Sequence, residues 1–221
     1  MIEATLRQEM IATCLRMNTS GLNQGSSGNL SVRLASGGFL ITPSSTPYEH
    51  MVPEDMAVMQ FDGTWMGPRR PSSEWRFHRD ILAARPECEV VLHCHSPFAA
   101  ALAVHSRGIP AFHYMVCLAG GEDIRCAPYA TFGSQELSDR AIAALANRTA
   151  CLLGHHGQIA LGASLEKAFA LATEVETLAK MYVHALALGE PPRLSSEEMA
   201  RVLGQMRRMS YGQAAQAESA P

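Results

Sequence analysis

Apolar side chains recur every three to four positions over residues 2–18, at Ile2, Leu6, Met10, Ile11, Cys14, Leu15 and Met17. That spacing predicts an amphipathic opening helix. A polar, glycine-rich stretch (SGLNQGSSGN, 20–29) breaks the pattern. Two short strand-like runs follow, LSVRL (30–34) and GFLITP (38–43), and then MAVMQF (56–61), entering a tight turn at 62–65. EWRFHRDILAAR (74–85) returns to the helical period, with Ser72 or Ser73 as its N-cap and Pro86 as its stop. VVLHCH (90–95) is apolar on both faces, as a central strand must be. A helix is expected over 96–106, and Pro110 ends the connection after it.

Residues 128–133 read as a loop, 134–147 as a helix and 149–153 as a strand. Ser164 caps the longest helical run, which closes at Gly189 and Pro191, and Ser195 with Glu198 forms a capping box for the last helix. No internal repeat or linker interrupts this order. The pattern predicts one α/β domain over 1–211, with a predominantly antiparallel, mixed sheet flanked by helices, and a disordered polar tail at 212–221.

The 221 residues carry a formal net charge of −3 without a basic block, which argues against a nucleic-acid partner. No apolar run approaches transmembrane length, and the N-terminus lacks the layout of a signal peptide. The six cysteines (14, 88, 94, 117, 126, 151) form no C-x-x-C pair and suggest no disulfide scaffold. A cytoplasmic location is therefore expected.

Candidate chemistry centres on His93 and His95. Two apart on a strand, they project from one face, with Cys94 on the other, and supply half of a tetrahedral metal site. An isolated pair of this kind is equally compatible with two hydrogen-bonded strand histidines. His155-His156-Gly157 follows another strand-like run, where adjacent side chains point to opposite faces, so one of the two histidines can join the pair. Spacing alone does not say which. Glu74, placed at a helix start after two serines, offers a carboxylate of limited freedom. A second constellation is polar and small: Ser26-Ser27-Gly28-Asn29, Thr42-Pro43-Ser44-Ser45 and Pro71-Ser72-Ser73. Hydroxyls, an amide and a helix N-terminus together suit a phosphate dianion.

The segments GLNQGSSGNLSVR (21–33), FLITPSSTPYEHM (39–51), PSSEWRFH (71–78), VVLHCH (90–95), IPAFHYM (109–115), APYATFGSQELS (127–138) and LLGHHG (152–157) resemble the class II aldolase family, in order along almost the whole chain. The resemblance implies a compact α/β subunit and a homotetramer with active sites at subunit interfaces. It implies zinc, with Mn2+ or Co2+ as alternatives, held by Glu74, His93, His95 and His156, and so selects the second histidine of the pair. It places phosphate on Gly28, Asn29, Ser44, Ser45, Ser72 and Ser73, although family members often carry glycine where Ser45 stands.

The implied activity is reversible cleavage of a ketose 1-phosphate, such as L-fuculose 1-phosphate, to dihydroxyacetone phosphate and an aldehyde through an enediolate. Glu74 would be the base and Tyr114, reaching an adjoining subunit's site, the proton donor. Tyr211 would close over substrate and Phe132 line the aldehyde side. Lys167 and Lys180 are ill placed for a Schiff base. Alternatives within the family are aldolases for 5-deoxyribulose or 5-methylthioribulose 1-phosphate, related decarboxylases and dehydratases, and sugar-phosphate 4-epimerases, which typically carry Asp at the position of Glu74. A non-catalytic adducin-like interaction domain would lack the metal ligands present here.

Overall fold

The computed structural model describes residues 2–209, so Tyr211 and the tail at 212–221 lie outside the described residues. In chain order the elements are α1 (Ile2–Thr19), β1 (Asn29–Arg33), β2 (Phe39–Ile41), β3 (Ala57–Met59), β4 (Trp65–Met66), α2 (Trp75–Ala84), β5 (Val90–Cys94), α3 (Pro97–Val104), β6 (Cys126–Ala127), α4 (Gln135–Ala144), β7 (Ala150–Leu153), β8 (Gly157–Gly162), α5 (Leu165–Leu186) and α6 (Ser196–Arg208). The strands form one sheet in the order β4-β3-β2-β1-β5-β8-β7-β6, antiparallel throughout except for the parallel pair β6–β7. The expected single domain with a mixed, mostly antiparallel sheet is what the chain builds. Among the described residues no helix is long and apolar enough to cross a membrane.

Every residue of β5 is buried, because helices cover both faces of the sheet. Its side chains alternate between two cores. Val91 joins Phe39, Phe77, Ile81 and Leu137 beneath α2 and α4, whereas Val90, Leu92 and Cys94 join Met10, Met17 and Ala172 beneath α1 and α5. A third cluster gathers α3, α5 and α6 around Leu102, Val175, Tyr182 and Met199. Cys94 therefore faces away from the side that His93 shares with Phe77, as the strand period requires.

Three strands escaped sequence analysis, and the first is β4, which begins inside the turn expected at 62–65 and pairs with β3. β6 has only two residues, too few to show a period. β8 carries Gly157 and Gly162 at its ends and Gln158 buried within it, so neither composition nor alternation marks it as the strand that pairs with β5 along its whole length. Ser164 and Ser195 cap their helices as expected, each hydroxyl accepting from the N–H three residues on, while the Glu198 carboxylate pairs with Arg201 and does not complete the expected box. The cap of α2 is a correction: Glu74 occupies the N-cap position, and Ser72 Oγ accepts from the Glu74 N–H at 3.2 Å.

Glu176 of α5 ties α3 to the rest of the fold. Its two oxygens accept the Phe98 and Ala99 N–H groups at 2.8 and 2.9 Å, so a carboxylate sits on the N-terminus of the helix that begins just after His95. Replacing Glu176 by Ala should lower stability by about 1–2 kcal/mol in urea unfolding at fixed protein concentration, with Glu176→Gln losing less.

Candidate metal centre and cleft

Four side chains from three places in the fold meet at the end of β5. His93 lies in β5 and His95 just beyond it, His156 lies in the turn between β7 and β8, and Glu74 stands at the start of α2. Each offers one ligand atom, and these atoms all lie within 4.8 Å of one another. His93 Nδ1 is 2.8 Å from the Gln158 carbonyl oxygen, which can only accept, so Nδ1 donates there and Nε2 is the ring nitrogen turned to the cluster. That Nε2 is 3.0 Å from His95 Nε2 and 3.2 Å from Glu74 Oε2. Glu74 Oε1 lies 3.4 Å from His156 Nε2.

This donor set fits a divalent ion. Glu74 is 5 % exposed, and its Oε1 is buried without a hydrogen-bond partner. Leaving a carboxylate oxygen unpaired in the interior is costly unless a charge faces it. Three imidazole nitrogens and one carboxylate also match the ligand types of zinc-like ions. Protonation points the same way. Burial, helped by the neighbouring His93 and His156, pushes His95 down to about 3. Burial, with His93, pushes His156 down to about 4. For Glu74 burial alone would raise the pKa, but His93, His156 and the Asn29 amide outweigh it and hold the carboxyl well below its usual range. Neutral imidazoles and an ionised carboxylate are the forms that bind metal.

Backbone geometry explains how the strands approach so closely. A Cβ at Gly157 would lie 2.4 Å from the Cys94 carbonyl oxygen and 3.0 Å from the His95 ring, and one at Gly28 would lie 2.7 Å from the His93 carbonyl oxygen. The choice between the two adjacent histidines follows from a turn, not from strand alternation. His155 takes a left-handed conformation (φ 53) and its side chain is exposed beside Tyr129, while His156 turns inward.

The metal-type cluster opens onto a cleft of ≈ 410 Å³. Gly28, Asn29, Ser44, Ser45, Ser72 and Ser73 all line it, together with Glu74, His95 and His156. An isolated bridge between Pro43 and Pro71 lays the two serine loops side by side. Ser45 sits at φ 53, a conformation that glycine adopts at less cost. Phe132 and Tyr129 rim the same cleft as exposed rings. Tyr114 does not line it and lies half-exposed at the start of the short helical turn Tyr114–Ala119. A larger groove of ≈ 680 Å³, lined by Arg107, Tyr182 and Arg193, shares none of these residues. Its Arg107 is bound to Tyr182 and Glu190.

Sequence reasoning missed several supporting groups. Asn29 does more than line the cleft, since its Nδ2 donates to Glu74 Oε2 at 3.0 Å. Tyr48, buried, donates to the Gly28 carbonyl at 2.6 Å and so holds the glycine loop against β5. The Gln158 carbonyl orients His93. Backbone acceptors leave no residue-type signal, so Gln158 was not discoverable from the sequence. Tyr48 lay inside the FLITPSSTPYEHM segment without a reason to single it out.

Known proteins share this arrangement of chain. The family model described as the class II aldolase and adducin N-terminal domain matches residues 8–183. A 5-methylthioribulose-1-phosphate/5-deoxyribulose-1-phosphate aldolase of Rhodospirillum rubrum is 51% identical over 98% of this chain and 96% of the relative. An L-fuculose phosphate aldolase of Escherichia coli (strain K12) is 47% identical over 94% of this chain and 95% of the relative. A solved structure of an L-fuculose 1-phosphate aldolase superposes with a TM-score of 0.89 at 36% identity, covering 92% of this chain and 97% of that one. With a family match over most of its length, and a buried Glu/His cluster where a metal-dependent lyase needs one, this chain belongs to the class II aldolase and adducin family.

Proposed function

We propose that the protein is a zinc-dependent aldolase that reversibly cleaves a ketose 1-phosphate to dihydroxyacetone phosphate and a short aldehyde. The observation that carries this reading is the junction of two chemistries in one cleft. A buried carboxylate among three imidazoles lies at one end, and serine hydroxyls beside a helix start lie at the other.

Glu74, His93, His95 and His156 would hold the ion, which supplies Lewis-acid stabilisation of the negative charge that develops on substrate oxygens as the C3–C4 bond breaks. The chain's own residues do the rest. Ser44, Ser45, Ser72 and Ser73, with the bare backbone at Gly28, anchor the phosphate through hydroxyl and N–H donors. Among the described residues lining the cleft none is Lys or Arg, so dipoles and hydroxyls carry this task. Glu74 removes the C3 proton of dihydroxyacetone phosphate in condensation and returns it in cleavage. Lys167 and Lys180 lie on α5 and do not line the cleft, which leaves no amine for a Schiff base there.

Tyr114, exposed and away from its own cleft, fits a proton donor offered to a neighbouring subunit in a homotetramer, where it would serve the aldehyde oxygen. Tyr211 is assigned to closing the cleft by family resemblance alone. Six free thiols fit a reducing cytoplasm. A second reading of the substrate is favoured by the rim. The exposed rings of Tyr129 and Phe132 suit a deoxy or methylthio tail, with sulfur against an aromatic edge, and the Rhodospirillum rubrum relative carries that name.

Fuculose, rhamnulose, ribulose, 5-deoxyribulose and 5-methylthioribulose 1-phosphates should therefore be assayed for dihydroxyacetone phosphate release. At least one should be cleaved, and a chelator should abolish the release. Cleavage of none would end the aldolase assignment. Glu74→Gln should keep the fold and much of the metal yet lower kcat by about 10²–10⁴-fold, and wild-type turnover in that variant would remove Glu74 as the base. His156→Ala should release the ion while His155→Ala largely keeps it, as elemental analysis of the purified variants will report.

A further inference from the structure

His78 is completely buried, titratable, and has no part in the chemistry described above. Its Nδ1 lies 2.7 Å from Ser31 Oγ and its Nε2 lies 2.5 Å from Asn29 Oδ1. Asn29 Nδ2 in turn donates to Glu74 Oε2. Four side chains thus form one buried chain that ends on the carboxylate.

The proton positions along it follow from that end. A carboxylate only accepts, so Asn29 must present its NH2 to Glu74 and its carbonyl oxygen to His78. His78 then needs its proton on Nε2, and Nδ1 is left to accept the Ser31 hydroxyl proton. Burial foremost, and the nearby His93, push His78 down to about 3, so the ring is neutral and can hold this single tautomer. Every donor in the chain points toward Glu74, and each bond polarises the next.

Local geometry makes this a built feature. β1 pairs with β5 so that Asn29 lies opposite His93 and Ser31 opposite Val91. Two strand residues span about 6.6 Å and four helical residues about 6 Å. Asn29 and Ser31 on the strand therefore match Glu74 and His78 along the helix start, one polar pair against the other.

We propose that His78 is a positioning residue: through Asn29 it locks Oε2 of Glu74 and leaves Oε1 as the oxygen that exchanges the proton. A primary amide can turn over about its last torsion, which would set its oxygen against the carboxylate. With the His78 N–H on Oδ1, the turned amide would also set N–H against N–H, so both ends oppose the flip. Oε1, buried without a hydrogen-bond partner and 3.4 Å from His156 Nε2, is the oxygen that the Asn29 amide does not hold. The inference rests on Glu74 as the proton carrier.

The test uses His78→Leu, which removes the donor, and His78→Gln, whose terminal amide NH2 can reach the position of Nε2. Ser31→Ala is a milder variant that loosens the tautomer from the far end. Each would be measured as full-length protein loaded with Co2+. In His78→Leu, kcat should fall by about ten- to a hundredfold with KM within about twofold, as expected when a reacting group is misplaced. His78→Gln should recover most of the loss. Ser31→Ala should lower kcat by about two- to threefold in the same direction. Without substrate, the visible Co2+ absorption bands should shift in His78→Leu and return in His78→Gln.

Wild-type kcat and bands in His78→Leu would overturn the inference, as would equal losses in the Leu and Gln variants that track their urea midpoints. If His78→Leu does not fold, an unchanged kcat in Ser31→Ala overturns it. Full turnover by Glu74→Gln would instead overturn the reading of Glu74 as base, and unshifted bands beside an inactive Glu74→Gln would overturn only the role of His78.

Discussion

A carboxylate buried among three imidazoles is the constraint around which this molecule is arranged. Glu74 is ionised in a place where an isolated charge would be strongly disfavoured. It is held there by His93 and His156 on one side and the Asn29 amide on the other. Each partner arrives from a different element, so the fold must bring β1, β5, the β7–β8 turn and the start of α2 to one point. The close passes at Gly28 and Gly157 and the Tyr48 bond to the Gly28 carbonyl serve that convergence.

The central strand connects stability with chemistry. β5 pairs with β1 and β8 along its length and buries both faces. Its apolar residues bind the two cores, and at its end the alternation that placed Val91 under α2 places His93 there too. A slip of one residue in this register would send the imidazole into the core that holds Cys94 and Met17. The same packing that stabilises the sheet therefore aims the candidate metal-binding imidazole of His93, and the backbone hydrogen bond from His93 to Gln158 orients its ring.

Along the cleft the two ends differ in kind. Serine loops and a helix start form a polar wall, while Tyr129 and Phe132 form an exposed aromatic rim. The polar wall is built by short-range backbone geometry, including the Pro43–Pro71 bridge, and is the part that a shared phosphate would use. Under the proposed function the rim would face the aldehyde half of the substrate, the half on which the aldolases similar to this chain differ by name.

Much of this was legible in the chain itself. Helices α1, α2 and α5, the strand character of residues 90–94 and the polar loops at 26–29, 42–45 and 71–73 follow from periodicity, caps and composition, all of which are local. His93 and His95 could be read as a converging pair because strand alternation is also local. The tertiary structure decided what depends on distant residues meeting. It built β8 from a glycine-flanked segment with a buried glutamine that only its pairing with β5 makes a strand. It turned His156 inward through a left-handed His155, where strand alternation had offered only that one of the two would face the site. It joined Ser31, His78, Asn29 and Glu74 into one buried chain, a contact between residues 45 to 49 positions apart in the sequence that no local pattern encodes.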